Sequence, residues 1–358
     1  MVEAGFGRAA CRRTGCCLRV ATLPAATSNL LVHREPLEEA LRAAVGYLEG
    51  PADAAMRYVM GWENESGQPI DAAGKRIRPA LCLFAAEAAG GSIADAMPGA
   101  VAVELVHNFS LVHDEVQDHD AERHHRPTVW ARMGEGQAIN IGDLLYTRAI
   151  RALTDGAGES ARRMRALGVL NIAIERMIRG QWDDIAFEGR DDVTIDDYLA
   201  MVAGKTGALL SAPLEIGAIL AGASPSVSLA LGRWGMHIGA AFQAQDDFLG
   251  IWGDPGQTGK SNTNDIARRK KTLPIIHALG NPGAADVVRR AYARDQLDDH
   301  DVAAVAEALK AAGSDSYCRE RAREQAAEAD DLLAVLEFDD ATREQFRAVA
   351  AYFVERDA

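Results

Sequence analysis

The chain has 358 residues and a net charge of −14, enough for one large or two ordinary domains. Such acidity argues against general nucleic-acid binding and against a polybasic membrane patch, so an anionic substrate would need metal ions and a local cluster of Lys and Arg. Ala, Leu, Glu and Arg are abundant, aromatics make up only 6%, and long β-branched alternating runs are absent, which predicts a mostly helical protein.

Of the five cysteines, Cys11, Cys16 and Cys17 lie near the amino terminus, while Cys82 and Cys318 stand far apart. They form no CxxC and meet no His at zinc spacing, so they read as free thiols. Residues 1–30 have scattered arginines, no periodicity and no apolar core of a signal peptide, and read as a disordered extension. No run approaches the ~18 apolar residues that span a bilayer. The expectation is a soluble cytoplasmic protein, with residues 31–358 as one domain.

From Glu35 to Tyr58 apolar residues recur at helical spacing: Leu37, Leu41, Val45 and Leu48. After a loop comes Gly74-Lys-Arg-Ile-Arg-Pro79, then the apolar run Ala80 to Ala89. Cations clustered at the start of a helix are unfavourable unless an anion binds there. A solvated basic loop is the plainer alternative.

A central helix is predicted from Ala100 to about Asp120. Its stripe His107, Leu111, Asp114 and Asp118 places two carboxylates one turn apart on an apolar helix. Buried together they repel unless a cation sits between them, and magnesium takes oxygen ligands of this kind. A solvated acidic edge remains the alternative on this motif alone. Arg123-His-His-Arg-Pro-Thr128 reads as a polar turn, its histidines more ordinary loop residues than metal ligands. The segment Gly134 to Gly142 lets the next helix approach closely.

A helix from Ala161 ends near Gly180, followed by Gly180-Gln-Trp-Asp-Asp184. Ile195 to Val202 starts another, which Ala203-Gly-Lys-Thr-Gly207 interrupts without the spacing of a P-loop. Lys205 must either snorkel or meet an anion. Leu231 to Leu249 presents Gly239, Gln243 and Asp246 on one stripe, with Gly250 at its end. A basic loop with Lys260, Asp265, Arg268 and Lys270 follows. The remaining helices read as packing, and Asp298 to Asp301 as a solvated turn.

Acidic pairs on two separated apolar helices, each followed by basic clusters, make a bundle core suited to metal-bridged diphosphate beside a hydrocarbon tail. The chemistry this suggests is ionisation of an allylic diphosphate. The motifs, in order and spacing from Gly74 to Pro274, resemble the trans-polyprenyl diphosphate synthase family. They are the 74–79 and 107–118 segments, Arg123 to Thr128, Gly180 to Asp184, Lys205-Thr206, Phe242 to Asp247, Gly259-Lys260 and Lys270 to Pro274.

The resemblance implies an all-α, single-domain antiparallel helix bundle around a central cavity. It implies that Asp114, Asp118 and Asp246 hold three Mg2+ ions. Arg123, Lys205 and Lys260, assisted by Thr206, Gln243 and Lys270, would grip an allylic prenyl diphosphate. Lys75, Arg78 and His107 would bind isopentenyl diphosphate. Gln181, Asp184 and Asp247 would support these groups from behind, and a homodimer is expected. The reaction would be head-to-tail condensation.

Three positions depart from the family pattern. Glu115 replaces an aspartate but points about 100° away from Asp114. Gly250 replaces the last acid of the second motif. His124 stands where a second arginine would grip isopentenyl diphosphate, and a neutral imidazole is no bidentate guanidinium; weaker binding of that substrate is expected, relieved by His124→Arg. Phe109, five residues before Asp114 with small Ser110 beside it, resembles the pocket floor of short-chain enzymes. Geranylgeranyl diphosphate is the first expected product and farnesyl diphosphate the next. A class I terpene cyclase and a non-catalytic subunit of a heteromeric synthase remain as rival readings.

Overall fold

Glycine and proline divide the first periodic stretch. It forms two helices rather than one: α1 (Arg34–Val45) stops at Gly46, with φ 86°, and α2 (Pro51–Val59) starts on a proline. A positive φ suits glycine, and proline fits only the first helical turn. The computed structural model describes residues 30–46, 50–253, 264–294 and 296–354. Lys260, Leu48 and residues 1–29 of the expected extension lie outside them.

Helix α3 (Ile77–Ala88) is linked through residues 89–92 to α4 (Ile93–Gln117). Ser92 caps α4, accepting from the Ala94 amide at 3.2 Å, so the central helix begins earlier than its apolar run suggests. Its faces bury Leu105, Val106, Phe109 and Val112 among α1, α6 and α9. Burying a side chain of this size contributes about 1.5–3 kcal/mol.

The Arg123 to Thr128 segment is more ordered than a plain turn. Glu122–Arg123 (β1) and Arg126–Pro127 (β2) pair antiparallel, with Arg123 opposite Arg126. His124 and His125 have φ of 50° and 60°, the double positive φ of a type I′ hairpin. Histidine is among the non-glycine residues enriched in that region. Next come α5 (Val129–Met133), α6 (Glu135–Asp155) and α7 (Ser160–Glu188).

Helix α7 runs straight through Gly180, where the sequence suggests an end. Helix α8 (Ile195–Val202) leads through a π-helical turn, Ala203–Gly207, into α9 (Ala208–Ala221). This stretch, Ile195–Ala221, is long and apolar enough to cross a membrane, which the count of apolar runs missed. Here α9 packs against α3, α4, α7 and α10. Helix α10 (Pro225–Trp252) is capped by Ser224.

The carboxyl-terminal part adds α11 (Asn264–Ala267), α12 (Leu273–Leu279), α13 (Pro282–Tyr292), α14 (Asp299–Ala311), α15 (Ser314–Ala334) and α16 (Asp340–Val354). Trp234 of α10 and Phe346 of α16 meet edge-on at 5.1 Å in a second core shared with α3 and α9. Short connections between long helices give the expected antiparallel bundle, with α4, α7, α9 and α10 around the site.

Candidate active site

A cavity of about 560 Å³ lies beside α4 and is lined by Phe109, Asp114, Tyr146, Met177, Gln181 and Lys205 among others. Aromatic side chains pack together in its wall. Phe109 meets His113 edge-on at 4.9 Å and Tyr146 at 5.6 Å. The predicted close approach at Gly142 is real, because a Cβ there would fall 2.1 Å from the His113 ring.

Lys205 is aimed by backbone contact between α7 and the π-helical turn. A Cβ on Gly180 would lie 2.3 Å from the Lys205 amide nitrogen, and one on Gly204 would lie 2.7 Å from the Arg176 carbonyl. Glycine at both positions lets the segments touch. The ammonium reaches Asp184 Oδ2 at 2.5 Å. Burial lowers its pKa, but Asp114, Asp184 and Asp118 raise it further, leaving it above its ordinary value.

Burial pushes the Asp114 carboxyl up, and the charges of Asp118 and Asp184 add to this against Lys205 and Arg123. Carboxylates crowded in this way fit a hard divalent cation, which would relieve their repulsion and accept oxygen ligands. Asp247 is different: it is buried and accepts from Tyr198 Oη, from the Leu273 amide at 2.8 Å and from Gln243 Nε2 at 2.8 Å. Burial nevertheless pushes it up to about 7. Gln243 in turn accepts from Thr206 at 2.9 Å. Asp246 lies three residues after Gln243, on the same side of α10. Gln181 donates to Gln117 Oε1 at 3.0 Å.

A second cavity, of about 610 Å³, is lined by Lys75, Arg78, His107, Glu115, Arg123 and His124. Arg78, His107 and Leu111 border both cavities and form the partition. Arg78 Nη1 lies 3.1 Å from His107 Nε2. Burial, then the charges of Arg78, Arg123 and Arg76, holds His107 well below its usual range, so it is neutral and accepts this bond. Arg78 Nε and His107 Nδ1 are buried and have no hydrogen-bond partner among the described residues. Orphaned donors beside clustered cations mark an anion site.

The three cations of the 74–79 segment divide their work. Lys75 donates to Tyr352 Oη at 3.1 Å. Arg76, with φ 51°, turns inward to Glu38 at 2.8 Å, Glu104 at 2.7 Å and the Met60 carbonyl at 2.8 Å. All three border the second cavity, but the Arg76 guanidinium is committed to Glu38, Glu104 and Met60. Arg123, expected beside the allylic group, lines this second cavity, where its Nε meets Glu115 Oε1 at 3.0 Å. Burial pushes Glu115 up to about 7 although Arg123 opposes it.

The ends of α4 and α10 are tied together through α11. A Cβ on Gly250 would come within 2.5 Å of Asp265 Oδ2, so a carboxylate stands beside the position where the sequence lacks one. Arg268 pairs with Asp120 just beyond α4 and feels the charges of Asp118 and Asp265. Lys270 is half-buried after α11. Among the described residues a further acidic group with metal-ligand spacing is Asp298, His300 and Asp301, but Asp298 and Asp301 form a helix-capping box and Asp301 pairs with Arg294 at 2.5 Å.

Sequence reasoning missed Tyr146, His113 and Tyr352. The first two could have been found from the small-residue crossing at Gly142, which brings α6 onto α4. Tyr352 has no local signal, because the contact spans 277 positions.

Residues 63–309 match the family model described as polyprenyl synthetase. The chain is 42% identical to a (2E,6E)-farnesyl diphosphate synthase of Mycobacterium bovis, over 90% of this chain and 91% of that protein. It is 43% identical to a geranylgeranyl diphosphate synthase of Mycobacterium tuberculosis, over 74% of this chain and 76% of that protein. The crystal structure of a polyprenyl synthetase from Streptomyces coelicolor A3(2) superposes with a TM-score of 0.86 at 38% identity, covering 92% of this chain and 99% of the other.

Proposed function

The chain belongs to the polyprenyl synthetase family, and from that premise we propose that it is a short-chain trans-prenyltransferase joining isopentenyl diphosphate head-to-tail to an allylic diphosphate. The observation that carries this reading is the pair of cavities with a shared partition of Arg78, His107 and Leu111. The first is mostly apolar, with Asp114, Asp143 and Lys205 in its lining; the second adds Lys75, Arg123 and Arg126, with Glu104 and Glu115, to the shared Arg78 and His107. A condensation of two diphosphates needs both. A cyclase acting on one allylic substrate has no use for the second, and a non-catalytic subunit has no need of either polar set.

In this reading Lys205, Thr206 and Gln243, with Lys260 and Lys270, hold the allylic diphosphate. Asp184 and Gln181 position Lys205 and Gln117, while Asp247 fixes Gln243. Asp114, Asp118 and Asp246 would hold magnesium, three ions in the full site, whose charge would neutralise that developing on the leaving diphosphate. The lining of the first cavity keeps water from the allylic cation. Lys75, Arg78 and His107 hold the diphosphate of isopentenyl diphosphate, with its alkene reaching past the partition to the allylic carbon. The proton then lost goes to the departing diphosphate.

Geranylgeranyl diphosphate is the proposed product and farnesyl diphosphate the next candidate, with Phe109 as floor. A homodimer is proposed, in keeping with exposed apolar side chains on α7: Ile178 (52%), Trp182 (75%) and Ile185 (44%), which also border the first cavity, follow one another at helical spacing. The cytoplasm is the proposed location, in keeping with Ile195–Ala221 being packed within the bundle.

The test is incubation of purified protein and magnesium with radiolabelled isopentenyl diphosphate plus C5, C10 or C15 allylic diphosphate. Elongated diphosphate that disappears on chelation supports the reading. Hydrocarbon from the allylic substrate alone would make it a cyclase, and turnover only with a partner chain would make it a subunit.

A further inference from the structure

Arg123 and Glu115 form a unit that the sequence pattern does not explain. Glu115 is buried, its side chain 10% exposed, and it lines the second cavity together with Arg123, which is 31% exposed. Their contact of 3.0 Å is made through Nε, at the root of the guanidinium. The terminal amino groups are the fork suited to a bidentate grip on phosphate.

The backbone of Arg123 is fixed as well. It lies opposite Arg126 in the two-residue hairpin, and Arg126 is anchored over the Tyr58 ring at 4.1 Å and to the Tyr58 and Glu63 carbonyls at 3.1 and 3.0 Å. Both ends of the Arg123 side chain are therefore held at the wall that carries Lys75, Arg78 and His107. Beside it, His124 also lines this cavity and has no guanidinium to offer. Glutamate is one methylene longer than the aspartate that the family pattern has at position 115, and its carboxylate meets Arg123.

We propose that Glu115 acts as a positioning residue that turns Arg123 from the allylic diphosphate to isopentenyl diphosphate, so that Arg123 supplies the guanidinium absent at position 124. This rests on the prenyltransferase reading. The two departures from the family pattern then compensate each other: the longer acid redirects the first cation of the hairpin, and the second position no longer needs one.

Steady-state kinetics on the full-length protein with magnesium test this. In E115D the KM for isopentenyl diphosphate is expected to rise about tenfold, the loss of one charge-assisted grip, with the KM for the allylic substrate unchanged. H124R is expected to lower the isopentenyl KM more in the E115D background than in the wild type, restoring it in the double variant. R123K, which keeps the charge and loses the fork, should raise the same KM without altering the other. A rise confined to the allylic KM in E115D or R123K would overturn the proposal, as would additive effects of E115D and H124R. Wild-type protein that elongates nothing would sink the prenyltransferase reading and this inference with it. Wild-type protein that elongates, with E115D unchanged, would sink this inference alone.

Discussion

Arg78 Nη1 lies 3.1 Å from His107 Nε2, and these two side chains stand between the cavities. The contact joins α3 to α4, so the start of one helix and the middle of another are locked at the point where two substrates would meet. Each partner retains a buried nitrogen, Arg78 Nε and His107 Nδ1, with no acceptor among the described residues.

This arrangement has a pH signature. Burial first, and neighbouring arginines second, hold His107 well below the ordinary value of 6.5. The folded state therefore keeps it neutral where the unfolded chain binds a proton. Stability from this group is complete above about pH 6.5 and falls as pH drops below it, by at most ~1.4 kcal/mol per pH unit. Glu115 and Asp247, both raised to about 7, contribute with the opposite sign over the same range, so the His107 part is read as the difference in urea-unfolding slope between wild type and His107→Asn from about pH 5 to 7. An equal slope in both proteins would mean that His107 is not its source.

Neighbouring cations should behave differently on mutation. Arg76 bridges Glu38, Glu104 and the Met60 carbonyl inside the fold. Arg76→Ala strands two carboxylates and should destabilise by about 3–5 kcal/mol. Lys75→Ala should leave the denaturation midpoint nearly unchanged and raise the KM for isopentenyl diphosphate. The reverse pattern would contradict the division of roles within the 74–79 segment.

Glycine at 180 is required by a backbone, not by flexibility. Gly180→Ala places a Cβ 2.3 Å from the Lys205 amide nitrogen, and since that atom cannot rotate away the cost should be about 1–3 kcal/mol or more. On the same helix, a Cβ at Gly168 meets nothing within 4 Å among the described residues. Gly168→Ala should therefore stabilise by roughly 0.5–1 kcal/mol. Thermal melts of the two variants would separate these effects, and equal shifts would count against the close contact.

Product length should report the aromatic floor. Phe109 touches both His113 and Tyr146. Phe109→Ala is expected to lengthen the main product by at least one isoprene unit, and Phe109→Ala with Tyr146→Ala to lengthen it further. Chromatography of the dephosphorylated products reads this directly; an unchanged chain length in both would remove Phe109 and Tyr146 from the floor.

Lys205 is held at 2.5 Å from Asp184 and feels Asp114. Lys205→Gln keeps most of the volume and removes the charge. A loss in kcat on the order of 10²-fold is expected, comparable with removing one donor to a developing anion. Retention of full kcat would exclude Lys205 from stabilising the leaving group.

Much of this protein was legible before folding. Helical periods, the Asp114–Asp118 pair, the Lys205-Thr206 interruption and the Gln243–Asp247 stretch are local patterns, set by side-chain spacing along one helix. They identify the helical frame and the chemical types of the site. The division of α1 from α2 was also written locally, in Gly46 and Pro51, but apolar periodicity across Gly46 masked it. Gly180 misled for a related reason: glycine marks both helix ends and close approaches, and sequence alone does not distinguish them.

Tertiary structure decided what each charged residue faces. Arg76 and Arg78 are two positions apart, yet a left-handed backbone at Arg76 sends its guanidinium into the core, while Arg78 stays at the partition. Arg123 belongs to a cationic cluster in sequence, but it stands in a two-residue hairpin, meets Glu115 and lines the second cavity. Asp265 fills the space beside Gly250, and Tyr352 reaches Lys75 across almost the whole chain. These relationships depend on the direction of side chains between separate elements, and a linear pattern fixes periodicity within an element without fixing the orientation of one element against another.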